Sequence, residues 1–200
     1  MECAVSLSLG RDLGDAPAPP PVRRRRRLDD IPVSPKLEVR PAFDDELPQL
    51  AGLLLELVPG LVAPFSSFSR VHAYSQSIYA VRSNSSITGC FACLHLNEEG
   101  LGSLIDGSLS MTEPQRACLA ECGSRVEAVY AWAWAMRPPT NGIRAMGNLM
   151  ACLRSPEFSN TEIYARPLTD KGFVFAQNLD SRRVEGGADD QGLWVSTRFE

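Results

Sequence analysis

One short segment has the composition of a helix start that could hold a phosphate group. A glycine-containing turn follows Pro138 and Pro139, and the apolar spacing after it predicts a helix at 142–154. A helix amino terminus presents unpaired N–H groups and a partial positive charge, which together attract anions. Glycine lets the backbone approach the anion closely, and an arginine can add a charge-assisted bond. The residues concerned are Asn141, Gly142, Ile143, Arg144 and Ala145.

The cysteines raise the question of a metal or disulfide site. The chain has six cysteines in 200 residues, which we interpret as reduced thiols rather than as a disulfide framework. Cys90 and Cys93 fall in a predicted strand, where positions three apart point to opposite faces of the sheet. No metal site is therefore predicted.

Composition and charge exclude several classes of protein. The net charge of −4 argues against a dedicated nucleic-acid binder. No apolar run is long enough to cross a membrane, since the longest is broken by Glu56, Pro59 and Gly60. The amino terminus lacks the pattern of a secretory signal. We expect a cytoplasmic protein without a membrane segment.

Residues 1–35 differ from the rest of the chain. They combine clustered prolines with five consecutive arginines, Arg23–Arg27, and cannot bury a core. We predict a disordered arm that precedes one folded domain at 36–200. We interpret the arginines as part of a solvated tail that could also contact nucleic acid or anionic lipid. The acidic remainder of the chain counts against a nucleic-acid role.

The apolar patterns predict an α/β domain with a mixed central sheet and helices on both faces. Residues 59–76 are predicted as a loop or a short extra helix. In the strand at 126–136, Tyr130, Trp132 and Trp134 are predicted to share one face. The other strands are predicted at 37–42, 77–82, 87–96, 161–166, 181–186 and 192–199, and the helices at 47–58, 112–122, 142–154 and 170–179.

Three stretches of this order resemble the GCN5-related N-acetyltransferase (GNAT) superfamily. IYAVRSNSSITGCFACLHL is similar to the second and third strands of that family, with Gly89 at a position where glycine is common. AVYAWAWAMRPPTNGIRAMGNLMACL is similar to its fourth strand, pyrophosphate loop and following helix. YARPLTDKGFVFAQNLDSRRVEG is similar to the fifth strand and the helix after it. The resemblance covers about residues 37–199.

The resemblance implies acetyl-CoA, or another acyl-CoA, as co-substrate. The pantetheine arm would lie along Ala135, Met136 and Arg137, and the diphosphate would lie at 141–145. The loop departs from the family pattern, because Pro139 replaces a Gln or Arg and Arg144 replaces a small residue. A second register, from Arg144 to Gly147, restores the Arg but leaves a short helix.

The resemblance also implies N-acyl transfer by direct attack of an amine in a ternary complex. Glu127 is the predicted general base, with His95 and Glu98 as weaker candidates. The usual acid, a tyrosine in the last helix, is replaced by Ala176. Tyr130 is the predicted substitute, with Tyr164 as an alternative.

Other functions stay open at this point. The degraded loop and the missing tyrosine also fit a catalytically inactive GNAT-fold module that binds CoA or another protein. For an enzyme, the acceptor is an amine on a small molecule or a protein. The oligomeric state is undetermined, with a homodimer as one option.

Overall fold

The computed structural model describes residues 36–58, 60, 63–137, 142–167, 169–178, 181–184 and 192–196. The predicted arm at 1–35, with Arg23–Arg27, lies outside these residues. So does Asn141. None of the described helices has the length and apolar character needed to cross a bilayer.

The described residues form one mixed sheet. Its seven strands are Leu37–Pro41 (β1), Ile78–Ser83 (β2), Ser86–Leu96 (β3), Ala128–Met136 (β4), Glu162–Ala165 (β5), Arg182–Arg183 (β6) and Trp194–Ser196 (β7), in the order β1-β2-β3-β4-β5-β7-β6. Only β4 and β5 pair in parallel; the other neighbours are antiparallel. The predicted α/β class and mixed sheet are confirmed.

Five α-helices accompany the sheet in the described part of the chain: Leu47–Leu57 (α1), Phe65–Ser75 (α2), Glu98–Ile105 (α3), Gly142–Cys152 (α4) and Asp170–Asn178 (α5). Helix α4 buries Ala145, Met146 and Leu149 against one face of the sheet. Helices α1, α2 and α3 pack on the other face. The extra helix considered for 59–76 exists as α2.

The helix predicted at 112–122 is wrong. That segment has only one short 3-10 turn, at Arg116–Cys118, and its backbone lies against the end of β3. Leu119 forms a bridge with Leu96, and the Ala120 N–H donates to the His95 carbonyl at 2.8 Å. Backbone groups used in this way cannot also form a helix.

A helix forms instead at α3, for which no helix was predicted. The Asn97 side chain accepts a hydrogen bond from the Gly100 N–H at 2.9 Å and so caps the helix. The same side chain donates to the Ala117 carbonyl at 2.7 Å. A Cβ on Gly100 would lie 2.0 Å from the Cys118 carbonyl oxygen. Gly100 therefore permits close packing.

A buried ionic cluster connects β1, β2 and the start of α1. The Glu46 carboxylate accepts two bonds of 2.8 Å from Arg40 and one of 2.9 Å from the Phe43 N–H. Arg82 of β2 is a further donor. The hydrogen bonds from Arg40 lower the pKa of Glu46 to about 2, so the carboxylate stays ionised at all ordinary pH values.

Both histidines are buried and hydrogen-bonded as neutral rings. His72 Nε2 lies 3.0 Å from the Ala42 carbonyl, and its Nδ1 accepts from the Ile78 N–H. His95 Nε2 lies 3.1 Å from the Tyr79 hydroxyl. Burial lowers the pKa of His72 and lowers the pKa of His95 to about 4.

Substitution of Gly100 by alanine should destabilise the protein by about 2 kcal/mol, because the new methyl group would overlap the Cys118 carbonyl. Gly102→Ala is the matched control, since nothing lies within 4 Å of its Cβ position in the same helix. The control should gain up to about 1 kcal/mol from helix propensity. Urea denaturation measures both. Equal stabilities would contradict the packing role of Gly100.

Acidification should destabilise the fold through His95. Because the pKa of His95 in the folded state, about 4, lies below its unfolded value near 6.5, only the unfolded state gains a proton in that window. The free energy of unfolding should therefore fall by about 2 kcal/mol between pH 7 and pH 5 from this group alone.

Chemical denaturation of wild type and of His95→Gln at both pH values tests this expectation. The variant should be less stable at pH 7, because it loses the bond to Tyr79. Its stability should change less with pH, with His72 supplying the remaining slope. The same slope in both proteins would exclude His95 as the titrating group.

Candidate active site at the parting of β4 and β5

The two parallel strands at the centre of the sheet separate part of the way along β4. Strand β4 pairs with β3 from Ala128 to Met136, but it pairs with β5 only from Ala128 to Ala131. From Trp132 onward, no described strand pairs with β4 on its β5 side. Alternate backbone N–H and C=O groups of a strand point to each side, so this edge can hydrogen-bond a ligand.

A β-bulge marks the point of separation. Ala133 pairs with Ala92 and Ala131 pairs with Cys93, so Trp132 is an extra residue in β4. The Trp132 indole donates to the Met111 carbonyl at 2.9 Å, which fixes the ring.

The bulge overturns the prediction that Tyr130, Trp132 and Trp134 share a face. Tyr130 and Trp132 pack on the side of α1, α2 and α3. Trp134 packs on the α4 side, with its ring centroid 5.3 Å from that of Phe91. An extra residue inverts the alternation beyond it, which a regular period of two cannot anticipate.

A cavity of about 180 Å³ lies where the strands part. Its walls come from the bulge of β4, the end of β5 and the following turn, one face of α5, and β7. The described lining residues are Val58, Ala131, Trp132, Ala133, Trp134, Ile163, Ala165, Arg166, Pro167, Thr169, Gly172, Ala176, Ser181, Trp194 and Ser196.

Most of these wall residues were not singled out in the sequence. Arg166 illustrates the omission: it lines the cavity, its side chain donates to the Leu104 carbonyl at 3.2 Å, and its guanidinium lies 5.9 Å from the centre of the Tyr130 ring. The pairing of β4 with β5 could have pointed to it, because parallel strands end at the same edge of a sheet.

The predicted cofactor residues at the end of β4 lie on the separated edge. Ala135 pairs with Cys90, and Met136 pairs with Gly89, whose hypothetical Cβ would lie 2.8 Å from the Ala135 carbonyl oxygen. The Arg137 N–H donates to the Thr88 carbonyl at 2.7 Å, and its side chain forms an ion pair with Glu56 of α1. This backbone is thus held by β3 on its other side.

The predicted anion-binding residues stand at the start of α4. Gly142 is its first residue, Ile143 and Arg144 are exposed, and Ala145 is wholly buried. The five positions from Arg137 to Gly142 span at most about 18 Å, which keeps this helix start near the separated end of β4. No acidic residue lies in the first turn of α4. The observed start of α4 agrees with the prediction of a helix that begins at Gly142.

The predicted catalytic residues precede, in the sequence, the β4 residues that line the cavity. Glu127 precedes the strand, its carboxylate is about one third exposed, and it pairs with Arg125 at 2.9 Å. It is not among the described residues that line the cavity. Tyr130 is buried next to Ala131, which does line it. Both roles stay predictions.

The weaker candidates lie elsewhere. The Tyr164 hydroxyl donates to Glu162 at 2.7 Å, and burial raises its pKa. His95 lies at a separate depression with Tyr79, and Glu98 is in the first turn of α3. In the described part of the chain, no three His, Cys, Asp or Glu side chains are grouped to hold a metal.

Comparisons with known proteins give structural matches only. No protein-family model matches the sequence, and no curated protein matches it either. The loading GNATL domain of CurA from Lyngbya majuscula has a TM-score of 0.59 at 13% identity, over 82% of this chain and 98% of that one. The GphF GNAT-like decarboxylase, in complex with isobutyryl-CoA, has a TM-score of 0.56 at 12% identity, over 81% of this chain and 100% of that one.

A third match is N-acetylglutamate synthase from Neisseria gonorrhoeae, complexed with coenzyme A and N-acetyl-glutamate. Its TM-score is 0.53 at 12% identity, over 84% of this chain and 36% of that one. Likeness at these identities concerns the arrangement of the backbone and leaves chemistry open. This chain has the fold of the GCN5-related N-acetyltransferase superfamily.

Proposed function

We propose that the protein is an acyltransferase that binds an acyl-CoA, in the first instance acetyl-CoA, between β4 and β5 and transfers its acyl group to an amine. The single observation that carries this proposal is the loss of β5 pairing beyond Ala131, with a bulge and a cavity at the same point. An amide-bearing ligand can complete the hydrogen bonds of such an edge in the manner of an added strand.

The proposed path of the cofactor follows the free edge of β4. The pantetheine amides would pair with the backbone of Ala135, Met136 and Arg137. The diphosphate would accept the first N–H groups of α4, from Gly142 to Ala145, with Asn141 just before them. The exposed Arg144 would supply a charge-assisted bond, which compensates for the residue missing at Pro139.

The proposed reaction is a direct displacement at the thioester. The amine nitrogen forms a bond to the carbonyl carbon, and the carbon–sulfur bond breaks as the thiol leaves. Backbone N–H groups of the bulge would stabilise the charge that develops on the carbonyl oxygen. The excess proton of the amine would pass through water to Glu127, which lies outside the cavity wall, and Tyr130 would protonate the sulfur.

Two of the structural neighbours support a CoA ligand. The GphF structure contains isobutyryl-CoA, and the synthase structure contains coenzyme A with an N-acetylated amino acid. The acyl groups in these two structures differ, so the structures support the class of co-substrate and leave the acceptor of this chain open.

A second candidate function is a CoA-binding module without catalysis. Two observations favour this candidate. The Glu127 carboxylate is already paired with Arg125. The cavity wall contains Ala176 at the position that corresponds to the family's general-acid tyrosine. The measurements below separate this candidate from the enzyme.

Reversal of the charge at Arg144 should weaken CoA binding at least tenfold, because the diphosphate would meet a carboxylate at the helix start. Titration calorimetry of the full chain with CoA and with acetyl-CoA measures the effect for wild type and Arg144→Glu. Arg154→Glu is the matched control, since Arg154 is exposed just beyond the other end of the same helix. It should stay within about twofold of wild type.

If wild type binds neither ligand at millimolar concentration, the proposed function is wrong. If the two variants weaken binding equally, the effect is general electrostatics and the phosphate site at α4 is wrong.

Substitution of Glu127 by glutamine should lower kcat about 100-fold at pH 7 and leave the affinity for acetyl-CoA unchanged, since only proton removal is lost. Release of free thiol, with a library of primary amines, provides the assay. Glu121→Gln is the control, because Glu121 is an exposed carboxylate outside the cavity wall. Unchanged turnover in Glu127→Gln would remove Glu127 from the mechanism. Binding without turnover in wild type would favour the module.

A further inference from the structure

A second, smaller depression adjoins the cavity on the side of α1 and α2. It has a volume of about 30 Å³, which gives room for roughly two water-sized groups. None of the described residues that line it carries a charge. They are Ala51, Leu54, Leu55, Ala63, Phe65, Phe68, Ala92, Trp132 and Ala133.

The depression and the cavity share wall residues at the bulge of β4. Trp132 and Ala133 line both spaces. The only hydrogen-bonding group of the described lining side chains is the Trp132 indole, which already donates to the Met111 carbonyl. Any polar or charged group placed here would lose its hydration without replacement, so the depression favours apolar atoms.

We propose that this depression holds the acyl chain of the thioester and selects short, uncharged acyl groups. The inference rests on the proposed function. A thioester carbonyl held at the bulge has two substituents, the sulfur and the acyl chain. The sulfur leads along the edge of β4 toward α4, so the first carbons of the acyl chain lie beside Trp132 and Ala133.

The volume sets the length of the chain that fits. Room for about two groups beyond the carbonyl corresponds to propionyl. Acetyl fills only part of the space, and butyryl has one carbon more than it holds. The opposite wall of the cavity carries polar side chains, among them Thr169, Ser181 and Ser196. That wall remains available to the acceptor.

Two positions determine the depth and the mouth of the depression. Ala51 is half-buried on α1, so a longer side chain there would extend into the space. Leu55, one helical turn later, is 63% exposed at the mouth. Ala51→Leu should fold, because leucine is also a strong helix former and the position is partly open.

Calorimetric titration of the full chain with CoA, acetyl-CoA, butyryl-CoA, octanoyl-CoA and succinyl-CoA tests the proposal. Each buried methylene should tighten binding about fourfold, so butyryl-CoA, which gains one buried methylene over acetyl-CoA in this volume, should bind about fourfold tighter than acetyl-CoA. Octanoyl-CoA should bind no tighter than butyryl-CoA. Succinyl-CoA should bind more weakly than butyryl-CoA, because its second carboxylate would be desolvated.

Two variants test whether the tighter binding of butyryl-CoA arises in the depression. Ala51→Leu should abolish the advantage of butyryl-CoA and leave CoA and acetyl-CoA within about twofold of wild type. Ala151→Leu makes the same change at an exposed position of α4, outside the depression, and should keep the advantage.

Failure of this inference is distinguishable from failure of the proposed function. Absence of binding by CoA and by every thioester overturns the proposed function. Binding of all ligands with equal affinity, or equal behaviour of Ala51→Leu and Ala151→Leu toward butyryl-CoA, overturns the acyl-chain site alone.

Discussion

The end of hydrogen bonding between β4 and β5 at Ala131 is the constraint on which the site depends. Beyond it, β4 keeps its bonds to β3 and has no described neighbour strand on the other side. Backbone groups of a central strand are costly to leave without partners, so such an edge persists only where water or a ligand completes it. The cavity at this point gives water or a ligand access to the edge. The bulge places the consecutive residues Trp132 and Ala133 in the cavity wall.

Several contacts hold the separated half of β4 in place. Because Gly89 has no Cβ, the backbone of β3 can lie directly against the Ala135 carbonyl oxygen of β4. The Arg137–Glu56 ion pair connects the end of the strand to α1, and the Trp132 indole bond connects the bulge to Met111. On the other side of the sheet centre, Glu46 joins β1, β2 and α1 through hydrogen bonds from Arg40, Arg82 and the Phe43 N–H. A rigid half-sheet next to an open edge is a suitable frame for a ligand that must be positioned accurately.

The functional proposals use different parts of this frame. The proposed anion binding at α4 would use a helix start and one exposed arginine, which are local features. The proposed acyl-chain selection would use the packing of α1 and α2 over the bulge, which is a tertiary feature. The proposed catalysis uses Glu127 and Tyr130, which are not among the described residues that line the cavity.

Local sequence patterns predicted the α/β class, the helix beginning at Gly142 and the opposite orientations of Cys90 and Cys93, because hydrophobic period and helix-start signals are local properties. The other features of the site depend on tertiary contacts. The face of Trp134 depends on a bulge that only the register with β3 reveals, and α3 depends on Gly100 fitting against Cys118. The cavity unites Val58, Trp132, Arg166 and Trp194, which are far apart in the chain. Their proximity follows from strand order in the sheet, and no local pattern encodes that order.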